Sequence, residues 1–424
     1  MLLNHDDCII CIVGLGYVGL PLALEFAKKY KVIGYDQNIA RVHDLQAGID
    51  RNSESSFASL TTSSISFDSD PNSIKGANVY IITVPTPVDE NNIPDLAILR
   101  EATRLVGKNL EVGNIVIYES TVYPGVTEDV CVPILGIASD LDFNSEFFVG
   151  YSPERINPGD KARKLTDIVK VTSGSSDKAS KFVDTLYSSI ILAGTYMAPS
   201  IKVAEASKVI ENVQRDVNIA LMNEFSAIFD SLSIDTADVL KAACSKWNFL
   251  PFTPGLVGGH CIGVDPFYLI HKANKIGVEA DLMKTSRKIN ENVPAFIIRK
   301  LVKLASSRGM ILDQAKVLIL GCAFKENCPD IRNSKVINLK NQASEWFSSV
   351  QIEDDVVSAD EVLRDYGINI NKSEEAFFDI IILAVPHQGI VDKGINSIKS
   401  RLAQDGIFFD LKSTFPAIHS DIRL

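Results

Sequence analysis

The sequence opens with a glycine pattern that few folds accommodate, Gly14-Leu15-Gly16-Tyr17-Val18-Gly19. An apolar run from Ile9 to Val13 precedes it, and the residues from Pro21 to Lys29 are typical of a helix. A second apolar run, from Val32 to Tyr35, ends in Asp36. Strand, glycine-rich turn, helix and strand in this order form the βαβ unit that binds a dinucleotide. The chain is therefore predicted to be an α/β protein that begins with a Rossmann-like domain.

Each glycine of this pattern has its own mechanical reason. Gly14 permits the tight turn, Gly16 lets a pyrophosphate approach the backbone, and Gly19 lets the helix pack closely on the strand. A carboxylate at Asp36 is expected to bond the adenine ribose hydroxyls and to repel a 2′-phosphate, which favours NAD over NADP. Arg41 is near enough in sequence to approach the same ribose, which keeps NADP as an alternative.

Three further apolar runs of strand length follow in the first half of the chain. They extend from Val79 to Val84, from Ile115 to Tyr118 and from Phe147 to Gly150. Ligands of an open parallel sheet gather beyond the carboxyl ends of its strands, so the loops after these runs are expected to line one cleft. Those loops contain Pro85, Thr86, Ser120, Thr121, Glu154 and Arg155.

A long helix is predicted from Ile201 to about Leu232, and a further helical region from about Lys284 to Ser307. Apolar residues recur along the long helix at three- and four-residue spacing, while Glu205, Lys208 and Asn212 fall together on another face. A helix of this length in mid-chain is expected to join domains and to form part of a homodimer core. Lys208 and Asn212 lie one turn apart and can reach one point, where a lysine stabilises an oxyanion or exchanges a proton. On the residues alone, a solvated helix face is the stronger interpretation of this pair.

The α/β pattern restarts at Lys316 without a second G-x-G-x-x-G. This second α/β domain need not bind a dinucleotide, although its loops can hold another phosphate. We predict two Rossmann-like domains joined by a long central helix and a helical dimerisation region. The predicted boundaries are 1–198 for the NAD-binding domain, 199–310 for the central helical region and 311–424 for the second Rossmann-like domain.

Cys261 is a candidate nucleophile. A cysteine in an apolar stretch is more often a buried packing residue, but glycines surround this one, and Asp265 follows four residues later to handle a proton or activate water. A thiol holds an aldehyde as a thiohemiacetal, which is then oxidised to a thioester and hydrolysed. His260 is expected to have a structural or hydrogen-bonding role, because adjacent side chains diverge.

Composition narrows the classes of partner. The net charge of −11 disfavours nucleic acid and anionic membranes as partners. The N-terminus lacks a basic region before its apolar run, and the longest apolar runs are too short to span a bilayer, so a cytoplasmic protein is expected. Seven scattered cysteines indicate free thiols. The C-x-x-C of Cys8 and Cys11 lies at the first predicted strand and is interpreted as two small apolar packing residues. No metal site is predicted.

The sequence resembles the UDP-glucose/GDP-mannose dehydrogenase family over essentially its whole length. The resemblance rests on ordered motifs, each modest alone. They are Gly14 to Pro21, Val84 to Pro87, Glu119 to Gly125, Lys208 with Asn212, Gly258 to Cys261, and Ala323 to Lys325 followed by Asp330 and Arg332.

This family oxidises the hydroxyl at carbon 6 of a nucleotide sugar to a carboxylate with two NAD. The resemblance implies that Cys261 is the nucleophile and that Lys208 stabilises oxyanions beside Asn212. It implies that Asp265, Thr121 and Glu154 position or activate water. The implied cofactor contacts are Gly14, Gly16, Tyr17, Val18, Gly19, Asp36, Arg41, Pro85, Thr86, Ser120, Thr121 and Arg332. The implied contacts of the UDP-sugar are Glu154, Arg155, Lys208, Asn212, Phe252, Thr253, Pro254, Gly258 and Lys325.

Two segments are similar to the branch of the family that acts on UDP-N-acetylhexosamines, Lys208 to Asp216 and Phe252 to Pro266. His260 departs from the UDP-glucose branch, which has a serine or similar residue before the cysteine. The resemblance therefore implies UDP-N-acetylglucosamine or its galactosamine epimer as substrate, with UDP-N-acetylmannosamine a close alternative and UDP-glucose a more distant one. Such enzymes supply uronic acids for bacterial capsule and O-antigen polysaccharides.

Two other classes stay open on the residues. A one-step dehydrogenase also joins a Rossmann domain to long helices, but it needs no thiol. A non-catalytic NAD-binding protein is disfavoured, because a decayed site is expected to have lost some of the residues that carry chemistry. Those residues are Cys261, Lys208, Asn212 and Asp265.

Overall fold

The structure, a computed structural model, describes residues 5–51, 60, 64–155, 164–370 and 375–424. The chain forms two compact units. The first unit contains residues 1–211 and 267–278, and the second contains residues 212–266 and 279–424. The predicted domain boundaries, at 198 and 310, stay predictions.

In the described residues, strands and helices largely alternate within 9–197 and 316–423, as the α/β pattern predicts, whereas five helices follow one another from 201 to 307. The strands are β1 Ile9–Val13, β2 Lys31–Tyr35, β3 Ile65–Asp68, β4 Val79–Ile82, β5 Ile115–Tyr118, β6 Phe148–Tyr151, β7 Lys170–Gly174, β8 Thr195–Met197, β9 Lys316–Leu320, β10 Ser349–Glu353, β11 Phe378–Leu383, β12 Leu402–Asp410 and β13 Ile422–Arg423. The helices are α1 Gly19–Phe26, α2 Ile39–Gln46, α3 Ala97–Gly107, α4 Val132–Ser139, α5 Asp177–Ser188, α6 Ile201–Ser231, α7 Thr236–Ala243, α8 Asp265–Lys275, α9 Asp281–Glu291, α10 Val293–Ser307, α11 Lys335–Ala343, α12 Ala359–Tyr366 and α13 Gln388–Lys399.

Each unit is built on its own sheet. The first unit has the strand order β3-β2-β1-β4-β5-β6-β7-β8, and its neighbouring strands are parallel except β6 and β7. The second has the order β10-β9-β11-β12-β13, and all of its pairs are parallel. In both sheets the order reverses beside the first strand of the unit, which is where open α/β sheets bind ligands.

The central strands read as unbroken apolar runs because both faces of each sheet are covered. Ile10 and Ile12 of β1 belong to one core with Ile81 and Ile117, while the intervening Cys11 is also fully buried on the opposite face. Burial of each such isoleucine contributes about 1.5–3 kcal/mol relative to leaving it exposed. The interpretation of the C-x-x-C cysteines as apolar packing residues fits this burial.

Predicted and observed elements differ mainly at their ends. Strand β1 matches its prediction residue for residue, whereas α1 begins at Gly19 and ends at Phe26, earlier than predicted at both ends. The predicted helical region from about Lys284 to Ser307 is two helices, α9 and α10, which meet at Asn292. Pro294 lies in the first turn of α10, where its missing N–H costs no helical hydrogen bond.

Helix α6 buries its polar side and exposes much of its apolar side. The buried polar residues recur at helical spacing and are Glu205, Lys208, Asn212, Asp216 and Asn223. The exposed apolar residues include Ile210, Leu221 and Ile228, at 53%, 42% and 47% exposure. The interpretation of Lys208 and Asn212 as a solvated face is therefore wrong. No helix among the described residues is long and apolar enough to cross a membrane.

Candidate active site

The glycine loop after β1 has the close packing that its sequence predicts. Gly14 has a φ of +99°, and the hydroxyl of Thr83 donates to its carbonyl over 2.7 Å. A Cβ on Gly19 would lie 1.8 Å from the Gly14 carbonyl oxygen, while a Cβ on Gly16 would meet nothing within 4 Å. The loop is thus closed on its strand side and open beside Gly16, which fits a pyrophosphate placed at the start of α1.

Asp36 lies at the end of β2 and supports the glycine loop directly. Its carboxylate accepts the N–H groups of Leu15, over 2.8 Å, and Asn38, over 2.9 Å. Each oxygen keeps acceptor capacity for a ribose hydroxyl. Arg41 donates to the Leu15 carbonyl over 3.0 Å and pairs with Asp50 over 2.8 Å. These contacts anchor Arg41 to the loop and leave Asp36 as the candidate ribose acceptor.

Replacing Asp36 with alanine is expected to weaken NAD binding by roughly 10- to 100-fold, because a hydrogen bond to a charged group contributes about 1.5–3 kcal/mol. Discrimination against NADP should fall with it. Fluorescence titrations of both cofactors measure this. The matched variant Asp36→Asn keeps an acceptor for Leu15 and removes the charge, so it separates loop support from charge repulsion. An unchanged preference for NAD in Asp36→Ala would show that another residue sets it.

The loops after β4 and β5 lie against each other. The hydroxyl of Ser120 donates to the Val84 carbonyl over 2.6 Å, and that of Thr86 donates to the Thr121 carbonyl, also over 2.6 Å. Pro85 is exposed beside them. The predicted cofactor contacts in these two loops are therefore neighbours at one edge of the sheet, as their positions after parallel strands indicate.

Glu205 of α6 holds the segment that follows Thr121. Its carboxyl group accepts the N–H groups of Gly125 and Thr127, over 2.5 and 2.9 Å. Burial raises the pKa of Glu205 to about 7, against these hydrogen bonds. The helical spacing places Glu205 on the same face as Lys208 but indicates no role for it, because the residue that it anchors lies 80 positions away in the sequence.

Glu154, after β6, is buried and ion-paired. Its carboxylate lies 2.6 Å from the Lys170 ammonium and accepts the N–H of Arg155. The Arg155 guanidinium pairs with Glu211 over 2.9 Å and donates to the Lys208 carbonyl over 3.4 Å. The first unit thus brings together Glu154, Arg155 and Lys208, and their role as substrate contacts stays a prediction. No pattern in the sequence around Lys170 indicated its pairing with Glu154.

Cys261 lies in a turn before α8 and is partly exposed. Its carbonyl accepts the N–H of Asp265 over 2.8 Å, which fixes the turn against the start of the helix. The amide of Asn212 donates to the Asp265 carboxylate over 2.6 Å. The second unit therefore places the predicted nucleophile, the predicted proton-handling acid and one predicted oxyanion-side amide together. A buried packing cysteine does not fit this exposure.

The loop before Cys261 is held at its glycines. Asn223 accepts the Gly255 N–H and donates to the Gly255 carbonyl, over 2.8 and 3.1 Å. A Cβ on Gly258 would lie 2.7 Å from the Asn333 carbonyl, and one on Gly259 would lie 2.7 Å from the Phe324 ring. Phe252, Thr253 and Pro254, the predicted substrate contacts, precede this anchored stretch. Asn223 extends the polar stripe of Lys208 and Asn212, a periodicity from which it could have been predicted.

Arg332 is joined to Asp330 by two hydrogen bonds to the carboxylate through Nε, at 3.0 and 3.1 Å, and one through Nη2, at 2.5 Å. Burial alone would raise the pKa of Asp330, but Arg332 holds it below its usual range.

His260 Nδ1 is 3.5 Å from the Asp330 carboxylate, and its ring meets Phe324 edge-on. The structural or hydrogen-bonding role expected of His260 stays a prediction. Lys325 lies beside Phe324, with its ammonium 5.5 Å from the ring centroid.

His387 fixes the loop that carries Lys325. The Asn327 N–H donates to His387 Nδ1 over 2.9 Å, so the proton of the neutral ring lies on Nε2, which is 2.9 Å from Asp354. Asp354 also accepts the N–H of Cys322. Burial opposes its charge, but His387 and the backbone donors lower the pKa of Asp354 to about 2. No feature of the sequence around His387 indicated this role.

Three domain profiles of one family match the chain in order. They are the NAD binding domain over residues 8–191, the central domain over 202–292 and the UDP binding domain over 318–417 of the UDP-glucose/GDP-mannose dehydrogenase family. The chain belongs to this family. The NAD binding domain includes the glycine loop and Asp36, and NAD is the cofactor, as predicted. The residues of that loop fit it, with Gly16 open to a pyrophosphate.

The relatives are similar over the full length. The chain is 50% identical over 421 residues to UDP-N-acetyl-D-glucosamine 6-dehydrogenase of Salmonella typhi, which covers 99% of both chains. It is 49% identical over 420 residues to the protein of that name from Pseudomonas aeruginosa, covering 99% of this chain and 100% of that protein. The solved UDP-D-ManNAc dehydrogenase from Pyrococcus horikoshii has a TM-score of 0.89 at 29% identity, covering 98% of both chains. The predicted fold class is confirmed.

Among the described residues, no group of three or more His, Cys, Asp or Glu side chains is placed to hold a metal ion. That the chain needs no metal stays a prediction.

Proposed function

We propose that the chain oxidises the hydroxyl at carbon 6 of a UDP-N-acetylhexosamine, foremost UDP-N-acetylglucosamine, to the carboxylate in two NAD-dependent steps. The partly exposed Cys261, next to the Asp265–Asn212 pair, carries this proposal. It is supported by near 50% identity to two UDP-N-acetyl-D-glucosamine 6-dehydrogenases over almost every residue.

The proposed chemistry uses the thiol of Cys261 as a covalent anchor. NAD, when bound, accepts one hydride in each of the two oxidations. After the first oxidation, the Cys261 sulfur adds to the aldehyde carbonyl and forms a thiohemiacetal. The second oxidation gives a thioester. Water then adds to the thioester carbonyl, the carbon–sulfur bond breaks, and the acid leaves with the thiol restored.

The proposed roles of the other residues follow their environments. Lys208 and Asn212, both buried on α6, stabilise oxyanions. Asp265, Thr121 and Glu154 position or activate water. Arg155, Phe252, Thr253, Pro254, Gly258 and Lys325 are proposed to contact the UDP-sugar. Gly14, Gly16, Tyr17, Val18, Gly19, Asp36, Arg41, Pro85, Thr86, Ser120, Thr121 and Arg332 are proposed to contact NAD.

The direct test is the yield of NADH from limiting UDP-N-acetylglucosamine with excess NAD. We expect two NADH per sugar, because an alcohol loses two hydrides on its way to an acid. One NADH per sugar would stop the reaction at a ketone or aldehyde and overturn the thioester route. With no NADH, the same measurement on the galacto and manno epimers, and then on UDP-glucose, identifies the substrate among the alternatives.

We also propose a homodimer in which the exposed apolar side of α6 is covered by a second copy of the chain. Ile210, Leu221 and Ile228 lie on that side. A cytoplasmic location and a supply of uronic acid to capsule or O-antigen polysaccharide complete the proposal. The division at 198 and 310 is proposed as a functional one, since the family profiles divide the chain in the same order.

A further inference from the structure

A buried cluster of charged side chains lies behind Glu154. Lys170, the first residue of β7, places its ammonium 2.6 Å from Glu154 and 2.8 Å from Glu119. The hydroxyl of Tyr187 donates to the other oxygen of Glu119. The exposed fractions of the three charged side chains are 3% for Lys170, 0% for Glu119 and 5% for Glu154. The mechanism proposed above uses Glu154 but neither Lys170 nor Glu119.

The charges in this cluster do not cancel. Two carboxylates share one ammonium, so one negative charge remains when all three groups are ionised. Burial raises the pKa of Glu119, against the attraction of Lys170. Burial alone would lower the pKa of Lys170, but Glu119 and Glu154 raise it above its usual value. The ammonium is therefore the one cation shown beside both acids, and its removal leaves two close carboxylates in a dry environment.

The contacts fix the orientation of Glu154. One of its oxygens faces the Lys170 ammonium and the other accepts the backbone N–H of Arg155. A carboxylate held at both oxygens keeps one rotamer and still has lone pairs for a water molecule. Glu154 lies in the loop after β6, at the carboxyl end of the sheet. An ion pair that only stabilised the fold would not need the Glu154 carboxylate to be held in one orientation there.

We propose that Lys170 is a positioning residue for Glu154, holding its carboxylate aligned to activate the water that hydrolyses the thioester. This rests on the proposed function. In that step the water oxygen bonds to the thioester carbon as one water proton passes to the Glu154 carboxylate. The carbon–sulfur bond then breaks, the departing Cys261 sulfur takes up a proton from water, and Glu154 releases its proton to water. Lys170 stays protonated throughout.

The variant Lys170→Met tests this in pre-steady-state and pH-dependent kinetics with the full-length protein, UDP-N-acetylglucosamine and NAD. Loss of general-base assistance should reduce kcat by about 100-fold. Because only hydrolysis is slowed, two NADH per active site should appear in a fast burst before the slow phase. The acidic limb of the kcat profile should move to higher pH, since a carboxyl without its cation loses its proton later. Lys170→Arg should keep most of the activity.

The charged or titratable groups shown to interact with Glu154 are Lys170, Glu119, Tyr187 and the adjacent Arg155. Glu119→Gln removes the competing carboxylate and keeps Lys170 with Glu154, so its acidic limb should move to lower pH. This variant tests the proposal even when Lys170→Met fails to fold. The matched control is Thr172→Val on the same strand, which removes a buried hydrogen bond to Asp184 outside the cluster. It should leave the pH profile unchanged.

A burst-free Lys170→Met enzyme with a wild-type pH profile would overturn the proposal, as would an unshifted limb in Glu119→Gln. Neither result touches the two-step oxidation, which depends on the NADH yield of the wild-type protein. A wild-type yield of one NADH per sugar would remove both proposals together.

Discussion

Serine in place of Cys261 is expected to reduce kcat by roughly three orders of magnitude or more, because the groups of a nucleophilic site act as a unit. A hydroxyl is a weaker nucleophile than a thiolate, and an ester hydrolyses more slowly than a thioester. The variant should therefore trap an enzyme-bound acyl adduct after incubation with UDP-sugar and NAD. Steady-state kinetics and intact-protein mass spectrometry measure the two effects.

The chain offers a matched control for this variant. Cys244 is exposed and lies in the same unit, where it lines a pocket with Phe252, Thr253 and Pro254, and serine replaces its thiol with a group of similar size. Cys244→Ser should keep wild-type kinetics and show no adduct. Release of acid by Cys261→Ser at the wild-type rate would exclude covalent catalysis and favour a one-step dehydrogenase.

Alanine at Gly19 is expected to abolish NAD binding and to destabilise the first unit by about 1–3 kcal/mol or more, as overpacking of a closed site does. Its Cβ would lie 1.8 Å from the Gly14 carbonyl oxygen and 2.4 Å from the Thr83 hydroxyl. The backbone must move to relieve such overlap, and the glycine loop moves with it. Thermal unfolding with and without NAD measures both consequences.

Gly16→Ala separates the loss of binding from the loss of stability. Its Cβ meets nothing within 4 Å, so the free energy of unfolding should change by no more than about 0.5 kcal/mol. NAD affinity should nevertheless fall at least about tenfold, because the new methyl group occupies the approach of the pyrophosphate. Wild-type affinity in this variant would place the pyrophosphate elsewhere. Equal melting temperatures for the two variants would contradict the steric argument for Gly19.

Local patterns were sufficient to predict much of the fold. The apolar run of β1, the glycine spacing and the helical period of α6 are properties of short segments, and each predicted its element. The ends of helices were predicted less accurately. Helix α1 ends at Phe26, three residues before the predicted Lys29, because tertiary packing and not the local pattern sets where it stops. The break between α9 and α10 depends on one proline, which a broad helical pattern conceals.

Side-chain partners were much harder to predict than elements. The solvated interpretation of Lys208 was wrong because it assumed that apolar residues face inward, whereas α6 exposes part of its apolar side. Lys170 escaped notice because its partners, Glu119 and Glu154, are 51 and 16 residues away. Such long-range pairs leave no periodic trace. The acidic end of β2, by contrast, was predictable because the βαβ unit places it next to its own loop.

The Asp354–His387 contact distinguishes the acid at the second sheet from its counterpart, Asp36, at the first sheet. In both units, a residue following the glycine after the first strand donates its N–H to an acid beyond the second strand, Leu15 to Asp36 and Cys322 to Asp354. Asp354 is already occupied by an imidazole, so an incoming ribose finds no free acceptor there. His387 therefore occupies the carboxylate that a bound ribose would otherwise contact. In the second unit this acid thus helps to hold the loop that carries Lys325, through the contact of His387 with the Asn327 N–H, whereas in the first unit the acid stays open to a ligand.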